Sequence, residues 1–432
     1  MFYYKNLDIN EKGNLTFNKA DTVLLAKKYQ TPLYVMDEDM IRENCRIYKK
    51  ALDKFYDKRG LALYASKAFS CKEIYRIVAS EGLGCDVVSG GELYTALEAG
   101  FDPEKIYFHG NNKTKQELIF ALEKGVGHIV LDGFYDLEVI SEICEEKNIV
   151  ANVSVRIKPG IDAHTHDAVM TGQIDSKFGV ALETGEAKEF LLTAIKKKNI
   201  NLRGVHCHLG SQIFDLEPFE EAARRLLNLM IEIRNETGYI IEELNLGGGF
   251  GIKYTEKDDP IEYASYIESV SKTVKNICNR NDFPLPFILM EPGRSIVAPC
   301  GITLYTVGSV KKIPGIRTYV SVDGGMADNP RYALYNAEYE AVIANKAKEP
   351  KSQIVTIAGR CCESGDLIGE NIKIQKAESG DIMAVLSTGA YNYSMASHYN
   401  RLPNPPVVMI KDGEDRVIVK GETYEDIVKN DI

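Results

Sequence analysis

Short apolar runs recur along the first two thirds of the chain, separated by stretches with apolar residues at helical spacing. The strand-like runs are LALYA (61–65), GCDVV (84–88), KIYFH (105–109), GHIVL (127–131), NVSVRI (152–157), LRGVHCH (202–208), EELNLG (242–247) and FILME (287–291). Between the early ones, KEIYRIVASEG (72–82), GELYTALEAG (91–100) and KQELIFALEKG (115–125) keep apolar residues on one helical face and close on glycine. The early strands start about twenty residues apart, the length of one β/α unit. Eight such alternations predict an α/β fold built on a TIM-like (β/α)8 barrel. A doubly wound open sheet gives the same alternation, and spacing cannot show closure. The later units are longer and predict extra loops or helices.

After residue 295 the texture changes. GITLYTVGSVKKI, RTYVSVDGG, SQIVTIAGR, GDIMAVLSTG and PPVVMIKDGEDRVIVKGE are strand-like runs joined by turn residues, which predicts a β-domain. NLTF and TPLYVM, near the start of the chain, are also strand-like and are expected to complete it. The expected division is therefore a barrel over 36–295 and a β-domain made of 1–35 plus 296–432.

Composition narrows the function. The net charge of −10 over 432 residues argues against a nucleic-acid surface. The start of the chain has no basic and apolar leader, and no apolar run of about 18 residues occurs. The nine cysteines include no C-x-x-C pair, so a disulfide framework or zinc knuckle is not expected. A cytoplasmic enzyme with no membrane span fits these features.

A parallel barrel keeps its chemistry at the C-terminal ends of its strands. Lys67 follows the first run and Asp86 lies in the second. His109 ends the third, and Arg156 lies in the fifth. His206, His208, Ser211 and Gln212 follow the sixth, GGGFG (247–251) the seventh, and EPGRS, with Glu291 and Arg294, the eighth. A single lysine at a strand end is ordinarily a surface group. Within this polar ring, Lys67 becomes a candidate nucleophile, reactive when its amine is partly desolvated. The bare backbone of Gly247, Gly248 and Gly249 lets N–H groups approach an anion. With Ser211 and Arg294 it predicts a phosphate site.

Two H-x-H pairs, His164/His166 and His206/His208, raise a metal as the alternative. A metal site needs carboxylates to complete it and has no use for a glycine cradle, so none is expected. A phosphate site, a barrel-mouth lysine and a strand-end carboxylate together point to pyridoxal 5'-phosphate. Lys67 would bind it covalently, and Glu291 would keep its ring nitrogen protonated.

YASKA (64–68), HCHLGSQ (206–212), LNLGGGFG (244–251), EPGRS (291–295), DGGMADNPRYALY (323–335), CCESGD (361–366) and GAY (389–391) resemble the fold-type III pyridoxal phosphate decarboxylases. The resemblance runs in order over nearly the whole chain. It implies that Lys67 carries the cofactor and His208 stacks on its ring. Ser211, Gly248, Gly249 and the segment Glu291, Pro292, Gly293, Arg294 would hold phosphate and pyridine. Arg294, Arg331 and Tyr335 would bind substrate, and Tyr391 would touch both phosphate and substrate. Cys362 would be the catalytic acid, and Glu363 would read the distal ammonium.

The implied reaction is decarboxylation of meso-diaminopimelate to L-lysine and carbon dioxide. The CESGD loop would reach the partner's site, which implies a homodimer with shared active sites. Ornithine-acting relatives resemble CDGxD at this loop. Racemases of the same fold type want an arginine, not Glu291, at the ring nitrogen. Departures are small: Tyr332 stands where Pro is common, Ala327 where Ser or Asn is usual, and Cys361 where His is frequent.

Overall fold

A computed structural model describes residues 2–161 and 175–432. Within it the chain forms two compact units. One comprises Asn44–Gly251 and Pro260–Gly293; the other comprises the chain up to Glu43, Ile252–Asp259 and Arg294–Ile432. The pair His164/His166 lies outside the described residues.

The first unit is a barrel of eight parallel strands: Gly60–Ala65, Gly84–Val87, Ile106–Phe108, His128–Leu131, Ala151–Lys158, Ile200–His206, Glu243–Asn245 and Phe287–Met290. Each overlaps one of the predicted apolar runs. The fourth strand pairs with the fifth through Ile129↔Val153 and Leu131↔Val155, and the eighth pairs with the first through Ile288↔Gly60. The sheet therefore closes, which settles the alternative that spacing left open. Leu63, Tyr107 and Leu289 form a buried interior cluster. Truncating Leu289 to Ala removes part of that packing and costs about 2–5 kcal/mol.

The first helices follow their sequence signals. Ser89 caps Gly90–Glu98 by accepting from the Glu92 amide, and Thr114 and Glu117 form a reciprocal capping box at Lys115–Glu123. Gly82, Gly100 and Gly125, just past three of these helices, have φ of +82°, +81° and +72°, which glycine adopts without strain. The longer late units hold Glu217–Thr237 and Tyr263–Asn281.

The second unit is a β-domain. Its main sheet runs Leu367–Ile374, Gln353–Ala358, Arg317–Val322, Gly301–Ile313, Leu33–Asp37, Val407–Lys411 and Glu414–Val419. The N-terminal strand thus lies inside the sheet, antiparallel to Gly301–Ile313 and parallel to Val407–Lys411. NLTF contributes instead to a small three-stranded sheet, Leu7–Ile9, Leu15–Phe17 and Ala20–Asp21. Leu15, Phe17, Val35, Leu304 and Val408, all buried, share one core cluster. Among the described residues no helix is long and apolar enough to cross a membrane.

Candidate functional site

The first strand ends at Ala65, and a single 3-10 turn, Ser66–Ala68, follows it. The Ala65 amide donates to the Pro292 carbonyl at 3.1 Å, tying the start of the turn to the loop after the eighth strand. Ser66 and Ala68 are buried, whereas Lys67 between them is exposed at the mouth. Its charge acts on Asp86, Glu92 and His208. Asp86 is buried, and its Oδ1 has no partner among the described residues. Burial first, then the Glu291 charge, raise its pKa; His109 and Lys67 offset part of this.

Glu291 directly follows the eighth strand and is 7% exposed. Its Oε1 accepts from Asn245 Nδ2 at 2.7 Å, and its Oε2 lies 3.1 Å from His206 Nε2. His109 Nε2 stands 2.9 Å from Oε1 but off the hydrogen-bonding direction. Burial alone would raise the pKa of this carboxyl. The two histidines outweigh burial and hold it well below the ordinary value, so Glu291 is ionised. Burial also pushes His206 down to about 4, so it is neutral and donates its Nε2–H to the carboxylate. The ligating atoms of His109, His206 and Glu291 all lie within 4.8 Å of one another. That spacing suits a cation, yet the His206 and Asn245 hydrogen bonds and the adjacent His109 ring already serve one buried negative charge, that of Glu291.

The glycine run has a geometric cause. A Cβ on Gly248 would sit 2.0 Å from the Glu291 carbonyl oxygen, and one on Gly249 2.4 Å from that of Gly210. Two of the amides serve the protein itself. Gly247 donates to Asn245 Oδ1 at 2.9 Å, and Gly248 donates to His208 Nδ1 at 3.2 Å. His208 therefore carries no proton on Nδ1. Burial, then the Lys67 and Arg156 charges, hold it well below its usual pKa, so the ring is neutral. Among the described residues, the amides of Gly249 and Gly293 have no protein acceptor. They are the donors that this part of the mouth offers an anion. A Cβ on Gly293 would meet that of Ala65 at 2.8 Å. Lys67, an ionised strand-end carboxylate, a neutral flat imidazole and a Cβ-free backbone with two spare N–H groups fit pyridoxal phosphate.

In the other unit, Arg294 opens a short helix, Arg294–Val297, and Arg331 opens another, Arg331–Tyr335. Both arginines are 7% exposed, and each donates through Nη1 to the Tyr254 hydroxyl, at 2.7 and 3.2 Å. Arg331 also donates to the Tyr339 hydroxyl at 2.7 Å. The Tyr391 ring lies 4.8 Å from the Arg294 guanidinium and 5.7 Å from that of Arg331. Their Nη1 atoms reach the same oxygen at 2.7 and 3.2 Å, and two unit charges about 6 Å apart repel by roughly 3 kcal/mol at an effective dielectric of 20. Aromatic faces and phenol oxygens offset this only in part, so the pair favours an anion. Tyr335 is half-buried at the end of the Arg331 helix.

Cys362 and Glu363 lie on an exposed loop of the same unit. Asp366, buried at its end, accepts from the Met326 and Cys361 amides, each at 2.6 Å, and the Cys362 amide donates to Asn400 at 2.8 Å. Burial, then Asp366, push the Cys361 thiol up to about 11.

The barrel thus brings Lys67, His208, Gly248, Gly249, Glu291, Pro292 and Gly293 to one rim, where Ser211 also lies. The other unit gathers Arg294, Arg331 and Tyr391. Sequence reading missed Asn245, Tyr254 and Tyr339. Asn245 had a signal, because Glu243 and Asn245 are polar at period two in a buried strand. Tyr254 and Tyr339 had none, since only folding brings them to the arginines.

The barrel and its rim define the class. Residues 38–298 match the family described as pyridoxal-dependent decarboxylase, pyridoxal binding domain, and the chain belongs to that family. Full-length relatives narrow the kinship. The chain is similar to the diaminopimelate decarboxylase of Bacillus methanolicus, at 50% identity over 97% of this chain and 97% of that protein. It is 48% identical to that of Bacillus subtilis over 100% of this chain and 98% of the other. Its fold is similar to the crystal structure of diaminopimelate decarboxylase from M. jannaschii, with a TM-score of 0.92, 35% identity, and 99% and 98% of the two chains covered.

Proposed function

We propose that this chain decarboxylates meso-diaminopimelate to L-lysine and carbon dioxide, with pyridoxal phosphate as cofactor. The cofactor, when bound, supplies an electron sink for the pair left behind by the departing carboxylate. Lys67 anchors it. Glu291, ionised among Asn245, His206 and His109, keeps a proton on the ring nitrogen. Neutral His208 lies against the ring face, and Ser211, Gly249 and Gly293 take the phosphate. Gly248 acts there through His208, and Pro292 ties the loop to Ala65. Arg294, Arg331, Tyr335 and Tyr391 hold the substrate, the two arginines on its distal carboxylate, where planar bidentate pairing suits a guanidinium.

Cys362 returns a proton to the carbon that lost carbon dioxide, and Glu363 reads the distal ammonium. Both stand on an exposed loop, which supports their serving a second copy of the chain in a homodimer. A cytoplasmic setting and a cofactor-binding division at 36–295 belong to the same reading. The observation that carries it is Glu291. A buried carboxylate held charged at a lysine-bearing barrel mouth suits decarboxylation and not racemisation.

The test incubates the cofactor-loaded protein with meso-diaminopimelate and follows lysine and carbon dioxide, with ornithine, arginine and carboxynorspermidine in parallel. Lysine from the first substrate alone is the expected result. A preparation with the cofactor's visible band that makes no lysine contradicts the reading.

A further inference from the structure

Tyr254 lies in Ile252–Asp259, an eight-residue excursion that belongs to the β-domain unit although it falls between the seventh and eighth barrel strands in sequence. Its surroundings are built to fix one oxygen atom. The Asp258 carboxylate accepts from the Tyr254 and Thr255 amides at 3.0 and 2.8 Å. Lys253 Nζ donates to the Asp258 carbonyl at 2.9 Å. From the N-terminal segment, the Tyr4 hydroxyl donates to the Lys253 carbonyl and accepts from the Lys253 amide, both at 2.9 Å. The result is a phenol only 8% exposed whose oxygen accepts from both Arg294 and Arg331. No acceptor for its own hydroxyl hydrogen is present among the described residues.

A neutral phenol oxygen that already accepts two N–H bonds has one thing left to give, its proton. The two guanidinium groups converge on that oxygen, and each is a planar fork of five N–H bonds. An anion placed beside the hydroxyl therefore meets three donors fixed relative to one another. Without the hydroxyl, the two like charges lose the acceptor they share, and mutual repulsion acts to spread them. The two arginines also lower the pKa of this phenol against the effect of burial, which makes it a stronger hydrogen-bond donor.

We infer that Tyr254 is the positioning residue of the substrate's distal carboxylate site, holding Arg294 and Arg331 at bidentate spacing and adding a third donor of its own. This rests on the reading that the arginines bind that carboxylate, so the test separates the two ideas. L-Lysine keeps the distal carboxylate after decarboxylation. Cadaverine has the same chain and amines without it. Calorimetric binding of both to the cofactor-loaded protein is measured for the unaltered chain, Tyr254→Phe and Arg331→Lys.

Tyr254→Phe keeps the ring against both guanidinium groups and removes only the hydroxyl. It should weaken lysine binding by roughly tenfold or more and leave cadaverine within a factor of two. Arg331→Lys should weaken lysine in the same selective way. If Arg331→Lys does so and Tyr254→Phe does not, the inference about Tyr254 is wrong while the arginine reading stands. If neither variant distinguishes the two ligands, the arginine reading itself fails. Equal loss of both ligands in Tyr254→Phe marks a merely structural role and overturns the inference. Should Tyr254→Phe not fold, Tyr4→Phe loosens the same segment from a distance. A selective loss for lysine there, of a few fold, is expected, and an unchanged preference overturns the inference.

Discussion

Asn245 offers the sharpest test of how the barrel holds Glu291 charged. Its two ends are assigned without ambiguity. Oδ1 accepts from the Gly247 amide, so Nδ2 must face the carboxylate, which it meets at 2.7 Å. Asn245→Asp keeps the shape and the bond from Gly247 but replaces the donor with a second carboxylate oxygen. Two losses follow. A charge-assisted hydrogen bond worth about 1.5–3 kcal/mol disappears. Two negative charges at the 2.7 Å separation of the present bond repel by roughly 6 kcal/mol at an effective dielectric of 20.

Each 1.36 kcal/mol is about one pKa unit, so the pair takes up a proton at neutral pH and titrates as a unit. Glu291 then offers the ring nitrogen about half a charge. A loss near 3 kcal/mol in the transition state lowers kcat on the order of 100-fold. The sign with pH follows from the raised carboxyl value. Activity of the variant should climb as pH rises above neutral, while the unaltered enzyme stays level there. Stability should move the opposite way. The folded variant binds a proton that the unfolded chain has already lost, so its Tm relative to the unaltered protein falls as pH rises. Steady-state kinetics and thermal melts between pH 6 and pH 9 read both trends. A variant with unchanged kcat and a level profile would refute the idea that Asn245 sustains the charge.

Three further predictions follow from other parts of the molecule. Asp328 is 4% exposed and accepts from the Tyr305 hydroxyl and the Gly325 amide, and burial pushes its pKa up to about 7. Its protonated form therefore stabilises the fold below about pH 4, and up to roughly 4 kcal/mol is lost as pH rises to about 7; Asp328→Asn should flatten that part of the Tm-versus-pH curve, and an unchanged slope would contradict the assignment. Cys362→Ala should cut turnover at least tenfold and leave the cofactor's visible absorbance intact, whereas loss of the absorbance would remove Cys362 from its role as proton donor. Mixing the impaired Cys362→Ala with inactive Lys67→Ala chains, then allowing subunits to exchange, should raise activity to about a quarter of normal if the loop serves the partner's site in a two-fold dimer; no gain over the unmixed variants after demonstrated exchange would exclude shared sites.

The barrel was legible because each strand is a short apolar run at regular spacing, with helices closed by glycine. Closure was not, since a parallel ladder between His128–Leu131 and Ala151–Lys158 leaves no trace in local pattern. The rim residues were legible as polar side chains at strand ends, from Lys67 through Glu291. How they act on each other was not. That the Gly248 amide is committed to His208, and that Asn245 supports Glu291, depends on atomic positions. The placement of Ile252–Asp259 with the β-domain was hidden as well. It sits between barrel elements in the chain, and the Tyr4 and Asp258 bonds that hold it link residues far apart or within an irregular loop. Arg331 was found through its motif, but its phenol partners Tyr254 and Tyr339 have no spacing that sequence periodicity could detect.

The proposed chemistry depends on Lys67 carrying the cofactor, and one chemical measurement reaches that residue directly. The cofactor-loaded protein is reduced with borohydride, digested, and its peptides are mapped by mass. The pyridoxyl group should appear on Lys67 alone, with the visible band lost on reduction. A label on any other lysine, or a reduced protein whose Lys67 peptide is unmodified, would contradict it.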